Sequence, residues 1–392
     1  MLGAAPHRLA AIGIAERQMI KNRKKWSEKA VRESKTILTR RTALAAAGAF
    51  AAGAPFGAFS AARAFTNPGE RSLRDVVGQF PLCHSAATSV VLPGSPRQVK
   101  LAWNATAICT AAAPVAKERG YFASHNLEVD FVNFGGSTEQ LLEAIATGKA
   151  DAGIGLVLRW LKPLEQGFDV RITTGIHGGC IRLLGSKAAG INSLASLRGK
   201  AIAVSDQASP AKNFFSIMFA KHGIDPEKDI EWRQYPGDLL TLAVQKGEVQ
   251  AAADNDPRTY LWLKDGTLNE VATNLTDEYA DRLCCVLAIR GSLVRDERPV
   301  ATALTQAILE AGEHVASNPA DAAAVFGGYG GRGSIEDLTA MLQSHTHHNH
   351  PIGDALKKQI ALFTGELKLV NVIKPSTDPA KFADRVYADV LS

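Results

Sequence analysis

The residues best suited to chemistry are three soft donors: Cys109, and the His177 and Cys180 that bracket two glycines in His177-Gly178-Gly179-Cys180. Thiolate with imidazole suits a soft or borderline cation, or a thio-containing solute. The plainer alternative is a hydrogen-bonded histidine beside small buried thiols, since cysteine is commonly a simple core residue. His345, His347, His348 and His350 in HTHHNHP could bind Zn, Ni or Cu at a surface. Their spacing matches no HExxH or CxxC site, so the stretch reads first as a solvated loop before Pro351. Gly136-Ser137-Thr138 combines close backbone approach with hydroxyls and free N–H groups at a helix start, which could hold an anionic or polar head or serve only as a helix cap. Asp254 and Asp256 could draw a cationic or amine-bearing ligand, although Asp256-Pro257 also makes a good N-cap and N1 pair. The glycine run GGYGGRG (327–333) lacks the GK[ST] ending of a phosphate loop, and no GxSxG elbow or Walker motif occurs.

The elements that position these groups follow from periodicity. VKLAWN (99–104) is a short apolar strand, 114–119 a helix stopped by Gly120, and LEVDFVNF (127–134) alternates as a strand does. Ser137 and Gln140 stand three apart ahead of Leu141, Leu142 and Ile145, a capping box opening an amphipathic helix that Gly148 ends before strand ADAGIG (150–155). Helix LRWLKPLEQG and strand DVRITTGI come next. The sequence then starts again with SLASLRG, strand KAIAVS and a helix begun by Ser209-Pro210 that places Phe214, Phe215, Met218 and Phe219 on one face. Strands alternating with helices predict an α/β fold with largely parallel sheets. A weak repeat, Leu141 to Gly148 and then Ala150-Asp151-Ala152 against Leu240 to Gly247 and then Val249-Gln250-Ala251, suggests two similar lobes. Beyond strand LCCVLAIRG (283–291) the chain turns helical, over 299–317, 319–326, 335–344, 354–367 and 379–391, and these helices are expected to cover the first lobe.

Charge distribution separates a leader from the rest. The 392 residues carry 44 Lys+Arg and 39 Asp+Glu, a formal charge of +5. Twelve of those bases and three of those acids fall in residues 1–64, so the remainder is mildly acidic at −4 and nucleic-acid binding loses its support. Arg40 and Arg41 precede a weakly apolar Ala/Gly run that is interrupted too often to span a bilayer, and Ala62-Arg63-Ala64 has the small-x-small form of a cleavage site. This pattern predicts a twin-arginine export signal over 1–64 with maturation after Ala64, then an irregular lead-in over 65–98 and a soluble periplasmic protein. Export would permit a disulfide among Cys83, Cys109, Cys180, Cys284 and Cys285, but an odd count without CxxC spacing leaves any pairing open.

From VKLAWN through KERGYFASHNLEVDFVNFGGSTEQLLEAIATGKADAGIG, then SLASLRGKAIAVS and LLTLAVQKGEVQAAADNDP, the chain resembles the periplasmic solute-binding proteins of NitT/TauT-type ABC importers, which capture nitrate, sulfonates, taurine and thiamine precursors. The likeness covers residues 99–320. Its most specific pieces are Gly120-Tyr121-Phe122 before Leu127-Glu128-Val129, the Gly148 to Asp151 helix exit, and Leu194 to Lys200. The resemblance implies a periplasmic-binding-protein fold with lobe I at 99–184 plus 285–392, lobe II at 185–284, and a hinged cleft between them. Ligands of open parallel sheets sit beyond the strand carboxyl ends. That rule nominates Trp103, Asn104, Thr106, Cys109, Gly136, Ser137, Thr138, His177 and Cys180 from lobe I, and Asp206, Ser209, Asp254 and Asp256 from lobe II. The function implied is capture of a small polar solute, such as a sulfonate, nitrate or taurine, for delivery to a permease and its ATPase. The protein is expected to be a non-catalytic monomer with no cofactor and no dedicated metal. Two alternatives stay open. One is a metal or metallophore receptor using the Cys and His donors. The other, less favoured, is an enzyme like the thiamine-pyrimidine synthases, which share the fold and use a cysteine-rich iron motif; the nearest approach here is Leu283-Cys284-Cys285-Val286.

Overall fold

The computed structural model describes residues 89–345 and 347–392. The export-signal residues Arg40, Arg41 and Ala64, the lead-in up to residue 88 and Cys83 lie outside the described residues.

Two five-stranded sheets organise the chain. The first combines β1 (Arg97–Trp103), β2 (Leu127–Asn133), β3 (Ala152–Leu156), β4 (Val170–His177) and β10 (Cys285–Arg290) in the order β2-β1-β3-β10-β4. The second combines β5 (Ile181–Ser186), β6 (Lys200–Val204), β7 (Ile230–Gln234), β8 (Ala251–Asn255) and β9 (Leu268–Thr273) in the order β7-β6-β8-β5-β9. In each sheet only the fourth strand, β10 or β5, runs antiparallel to its neighbours. That strand arrives directly from the other lobe, so it can enter in the opposite sense, whereas the parallel strands need crossover helices. The matched orders place β3 and β8, the strands after the repeated Leu-Leu helix segments, at equivalent positions. The sequence repeat is therefore an architectural one.

Helices flank both sheets. In lobe I these are α1 (Ala112–Glu118), α2 (Tyr121–Ser124), α3 (Thr138–Ala146) and α4 (Leu158–Glu165); in lobe II they are α5 (Pro210–Lys221), α6 (Leu240–Gln245) and α7 (Arg258–Lys264). Ser137 accepts a hydrogen bond from the Gln140 N–H at 3.3 Å and Ser209 one from the Lys212 N–H at 3.2 Å, so α3 and α5 begin at the caps expected of them. Phe214, Phe215 and Phe219 of α5 are buried as their spacing requires, with the Phe214 ring 4.8 Å from that of Tyr279. The tail folds as α8 (Gly291–Asp296), α9 (Arg298–Ser317), α10 (Pro319–Gly328), α11 (Ile335–Ser344), α12 (Gly353–Leu369) and α13 (Pro379–Val386). α9 packs on α1, α2 and β4 of the first lobe, but α12 also reaches α5 of the second. There Glu366 accepts from Lys221 at 2.6 Å and from Arg282 at 2.8 and 2.7 Å. No helix among the described residues is long and apolar enough to cross a membrane.

The chain crosses between lobes at 178–180 and 274–284. Because Leu183 and Leu184 pair with Ala253 and Ala252 of β8, the second sheet begins at Ile181 rather than at residue 185. The crossings are knitted side by side. Asn274 Oδ1 accepts the Cys180 and Ile181 N–H groups at 2.8 and 2.7 Å, and the Asp256 N–H donates to the Cys180 carbonyl at 2.9 Å. Gly179 permits this approach, since a Cβ there would overlap the Asn274 backbone carbonyl. Gly179→Ala is accordingly expected to lower stability by about 1 to 3 kcal/mol through overpacking against backbone that has nowhere to move. Urea unfolding checks this, and an unchanged midpoint would show the crossings to be loosely packed.

Candidate functional site

A cleft of about 240 Å³ opens between the lobes, at the carboxyl ends of the parallel strands. Of the nominated residues, Asn104, Thr106, Gly136, Ser137, Asp206, Ser209 and Asp254 line it. The turn after β1 is set by Asn104, whose Oδ1 accepts from the Thr106 N–H and hydroxyl at 3.0 and 2.9 Å. Gly136 adopts φ +89°, a left-handed conformation that tolerates few side chains, and this turns its carbonyl toward Arg159.

Three arginines that strand-end reasoning missed dominate the cleft: Arg159, Arg258 and Arg332. Arg159 stands in the first turn of α4, just past the end of β3, and is only 4% exposed. Its Nη1 donates to the Gly136 carbonyl at 3.0 Å and its guanidinium lies 5.1 Å from the Phe134 ring. Among the described residues, Nε has no partner and no carboxylate pairs with the group directly. Burial lowers its pKa, yet a guanidinium keeps its proton, so a positive charge sits in the cleft wall. The signal for Arg159 was present: the rule that selected strand ends extends to the first turn of the following helix.

The other charges are already matched. Arg258 pairs with Asp254 at 3.0 Å and reaches across to Thr106 Oγ1 at 3.4 Å. Burial raises the pKa of Asp254, with Arg258 opposing. Arg332, from the glycine run, bridges to Asp238 of the other lobe at 2.8 and 3.0 Å, which gives 327–333 a place at the cleft rim. The Thr138 N–H donates to Asp206 Oδ2 at 3.2 Å, so a carboxylate of lobe II occupies the helix start expected to hold the ligand's head. Ser137 and Ser209 use their hydroxyls as helix caps.

Six nominated residues do not line this cleft; Thr138 sits beside it through its bond to Asp206, and the other five lie farther off. Trp103 turns into lobe I, its ring 5.1 Å from Phe131 and 5.7 Å from Tyr329, because strand alternation sends it to the face opposite its neighbours. Asp256 is fully buried beneath α7, where it accepts from Arg182 Nε at 3.1 and 3.2 Å, from His345 Nε2 at 2.9 Å, from the Tyr260 N–H at 3.0 Å and from the Thr259 hydroxyl. It anchors α7 through Tyr260, but the helix starts at Arg258, one residue later than an Asp256-Pro257 cap implies. Although burial opposes it, His345 and then Arg182 hold the Asp256 carboxyl below its usual range.

Cys109, His177 and Cys180 gather below the cleft at the crossings, all buried, with donor atoms within 4.8 Å of one another. Cys180 Sγ is also 3.6 Å from Cys284 Sγ, and the four described cysteines are free. The adjacent Cys180, then Cys285 and the His177 ring, hold the Cys109 thiol well below the ordinary range, while Cys180 is pushed well up by the proximity of Cys109. Burial works against the His177 imidazolium, but the adjacent Cys109 sulfur more than offsets it. The histidine stretch is not the solvated loop its polarity suggested. His345 and His347 are buried, their rings 5.6 Å apart, and the His347 ring is 5.0 Å from that of His177. The Gly175 N–H donates to the Pro351 carbonyl at 2.9 Å, seating the stretch on β4. Burial, then the His177 and His345 charges, holds His347 well below its ordinary value.

A family model described as NMT1/THI5 like matches residues 110–322, more than half of the chain. The chain belongs to the NMT1/THI5-like family. No protein of curated function matches it by sequence. Among solved structures, this NMT1/THI5-like chain is similar to the alkanesulfonate-binding protein SsuA from Xanthomonas axonopodis pv. citri bound to MOPS, at 17% identity over 74% of this chain and 99% of that one, TM-score 0.63. It is also similar to the periplasmic nitrate-binding protein NrtA from Synechocystis PCC 6803, at 16% identity over 76% and 88%, TM-score 0.64. A third is the zinc-bound ligand-binding component of an ABC-type import system from Staphylococcus aureus, at 16% identity over 75% and 97%, TM-score 0.61. These likenesses show that the NMT1/THI5-like chain has the periplasmic-binding-protein fold implied by its resemblance to NitT/TauT-type proteins.

Proposed function

We propose that this chain is the periplasmic solute-binding component of an ABC importer and that its interlobe cleft takes a small oxyanion-bearing solute, a sulfonate or nitrate in class, which it passes unchanged to a membrane permease and its ATPase. The observation that carries this reading is Arg159, a buried cation in the cleft wall with an unpartnered Nε and no carboxylate of its own. A planar guanidinium suits paired acceptor oxygens, and a dry cleft strengthens the attraction. Arg258 and Arg332 are paired with Asp254 and Asp238, and Asp206 is held by the Thr138 N–H, so the demand is for ligand oxygens that meet Arg159 directly. The sulfonate- and nitrate-binding structural neighbours are consistent with that demand. Release of an unchanged ligand is supported by Ser137 and Ser209, whose hydroxyls are committed to capping rather than to a base. The cysteines and His177 do not line the cleft, which argues against a metal as the transported cargo. Export through a twin-arginine signal is part of the same proposal.

A thermal-shift screen with alkanesulfonates, taurine, nitrate, amines and thiamine precursors tests it. Stabilisation confined to anions is expected, growing with the logarithm of ligand concentration. Stabilisation by amines alone, or turnover of any compound, would overturn the reading.

A further inference from the structure

The cluster below the cleft has features that hydrophobic packing does not call for. His177 is fully buried, and among the described residues neither of its ring nitrogens meets a partner with hydrogen-bond geometry. His347 Nε2 is likewise buried and unpartnered, on a ring 5.0 Å from His177. Leaving such atoms unsatisfied is costly, and a His177 nitrogen lies within 4.8 Å of two sulfur atoms that are themselves good donors to a cation. Cys109 comes from the turn Ile108–Thr110 after β1, His177 from the end of β4, Cys180 from the first crossing and His347 from the segment after α11. Three separate stretches therefore converge on one point, and the fourth sets its ring beside His177.

We infer that Cys109, His177 and Cys180, with His347 as fourth donor, form a buried resident site for a thiophilic d10 cation, Zn(II) or Cu(I), at the hinge between the lobes. The donor set is two sulfurs and two imidazoles, the composition that suits these ions. Tetrahedral bonds of about 2.0 to 2.3 Å place ligand atoms roughly 3.3 to 3.8 Å apart. The three core donors already lie within 4.8 Å of one another, so a modest contraction completes the site. Full burial and separation from the cleft lining make the ion a structural component, independent of the solute. The ion fastens the first crossing to the turn after β1 and leaves the hinge a fixed point about which to bend.

The full chain, unfolded with chelator and thiol reductant, is refolded with Zn(II), with Cu(I) under anaerobic conditions, or with neither, and excess ion is removed. Retention of about one ion per chain and a raised melting temperature are expected. Retention of either ion supports the site and identifies its metal. Co(II) in place of Zn(II) should give thiolate-to-metal charge-transfer bands. Cys109→Ser combined with Cys180→Ser should abolish retention, while the exposed control His348→Ala keeps it. Near-ultraviolet circular dichroism of the metal-free variant against metal-free wild type separates loss of the site from loss of the fold. X-ray absorption of the loaded wild type reads the site without any variant, and sulfur with imidazole scatterers are expected. An oxygen-only shell, an ion retained by the double variant, no retained ion, or an exported protein carrying a Cys180–Cys284 disulfide without metal would each overturn the inference. None of these outcomes bears on anion binding in the cleft.

Discussion

Arg159→Ala is expected to weaken anion binding by roughly 30- to 4,000-fold, the equivalent of about 2 to 5 kcal/mol for removing one partner of a buried, hydrogen-bonded charge pair. The loss is large because Arg159 is the one cleft arginine whose charge is not already met by a carboxylate. The same substitution should do little harm to the empty protein. It removes a buried cation whose desolvation was not repaid by an ion pair, which offsets the packing lost over Phe134. Arg159→Lys keeps the charge but gives up the planar fork and the Nη1 bond to Gly136, so intermediate affinity is expected. Isothermal titration with an alkanesulfonate or nitrate measures all three proteins. Unchanged affinity in Arg159→Ala would move the anion site elsewhere in the cleft.

The second large effect concerns folding. Asp256→Ala is expected to cost about 3 to 5 kcal/mol, because it strands a buried cation and several donors at once. Arg182 and Thr259 approach from the second lobe and His345 from the tail of the first, so this one carboxylate ties the lobes together beneath the cleft. Asp256→Asn preserves volume and one acceptor oxygen but cannot neutralise Arg182, and it should retain only part of the stability. Urea denaturation gives the difference, and a double-mutant cycle with His345→Ala isolates the tie between lobes. A cost below about 1 kcal/mol would mean that water or Glu270 replaces the lost partner, within the range of exposed pairs. Glu270 is the other carboxylate on Arg182.

Much of the fold was legible because it depends on local rules. Alternation in LEVDFVNF, the caps at Ser137 and Ser209 and the glycine stops at Gly148 and Gly247 each act over a few residues, and the structure places elements where they fall. The repeated Leu-Leu helix segments anticipated the matched strand orders of the two sheets. The position of the first crossing was not readable, since Leu183 and Leu184 fit either sheet by hydrophobicity and only their pairing with β8 decides between them.

The site was legible in part for the same reason. Asn104, Gly136, Asp206 and Asp254 occupy strand ends, and strand ends face the cleft in this architecture. Arg159 escapes the strand-end rule because it stands in the first turn of the helix that follows its strand. Trp103 and Asp256 satisfy the strand-end rule without joining the site, because their neighbours in sequence face the cleft while their own side chains point into the core.

By itself, then, the sequence determined two α/β lobes, the strand ends that meet between them, and the presence of soft donors near two of those ends. Only the tertiary structure decided that Cys109, His177 and Cys180 share one buried point with the distant His347 ring beside it, and that the cleft arginine without a carboxylate partner is Arg159. Side-chain spacing along a helix or strand is a local property, whereas the pairing of charges and the burial of donors depend on which distant segments pack together.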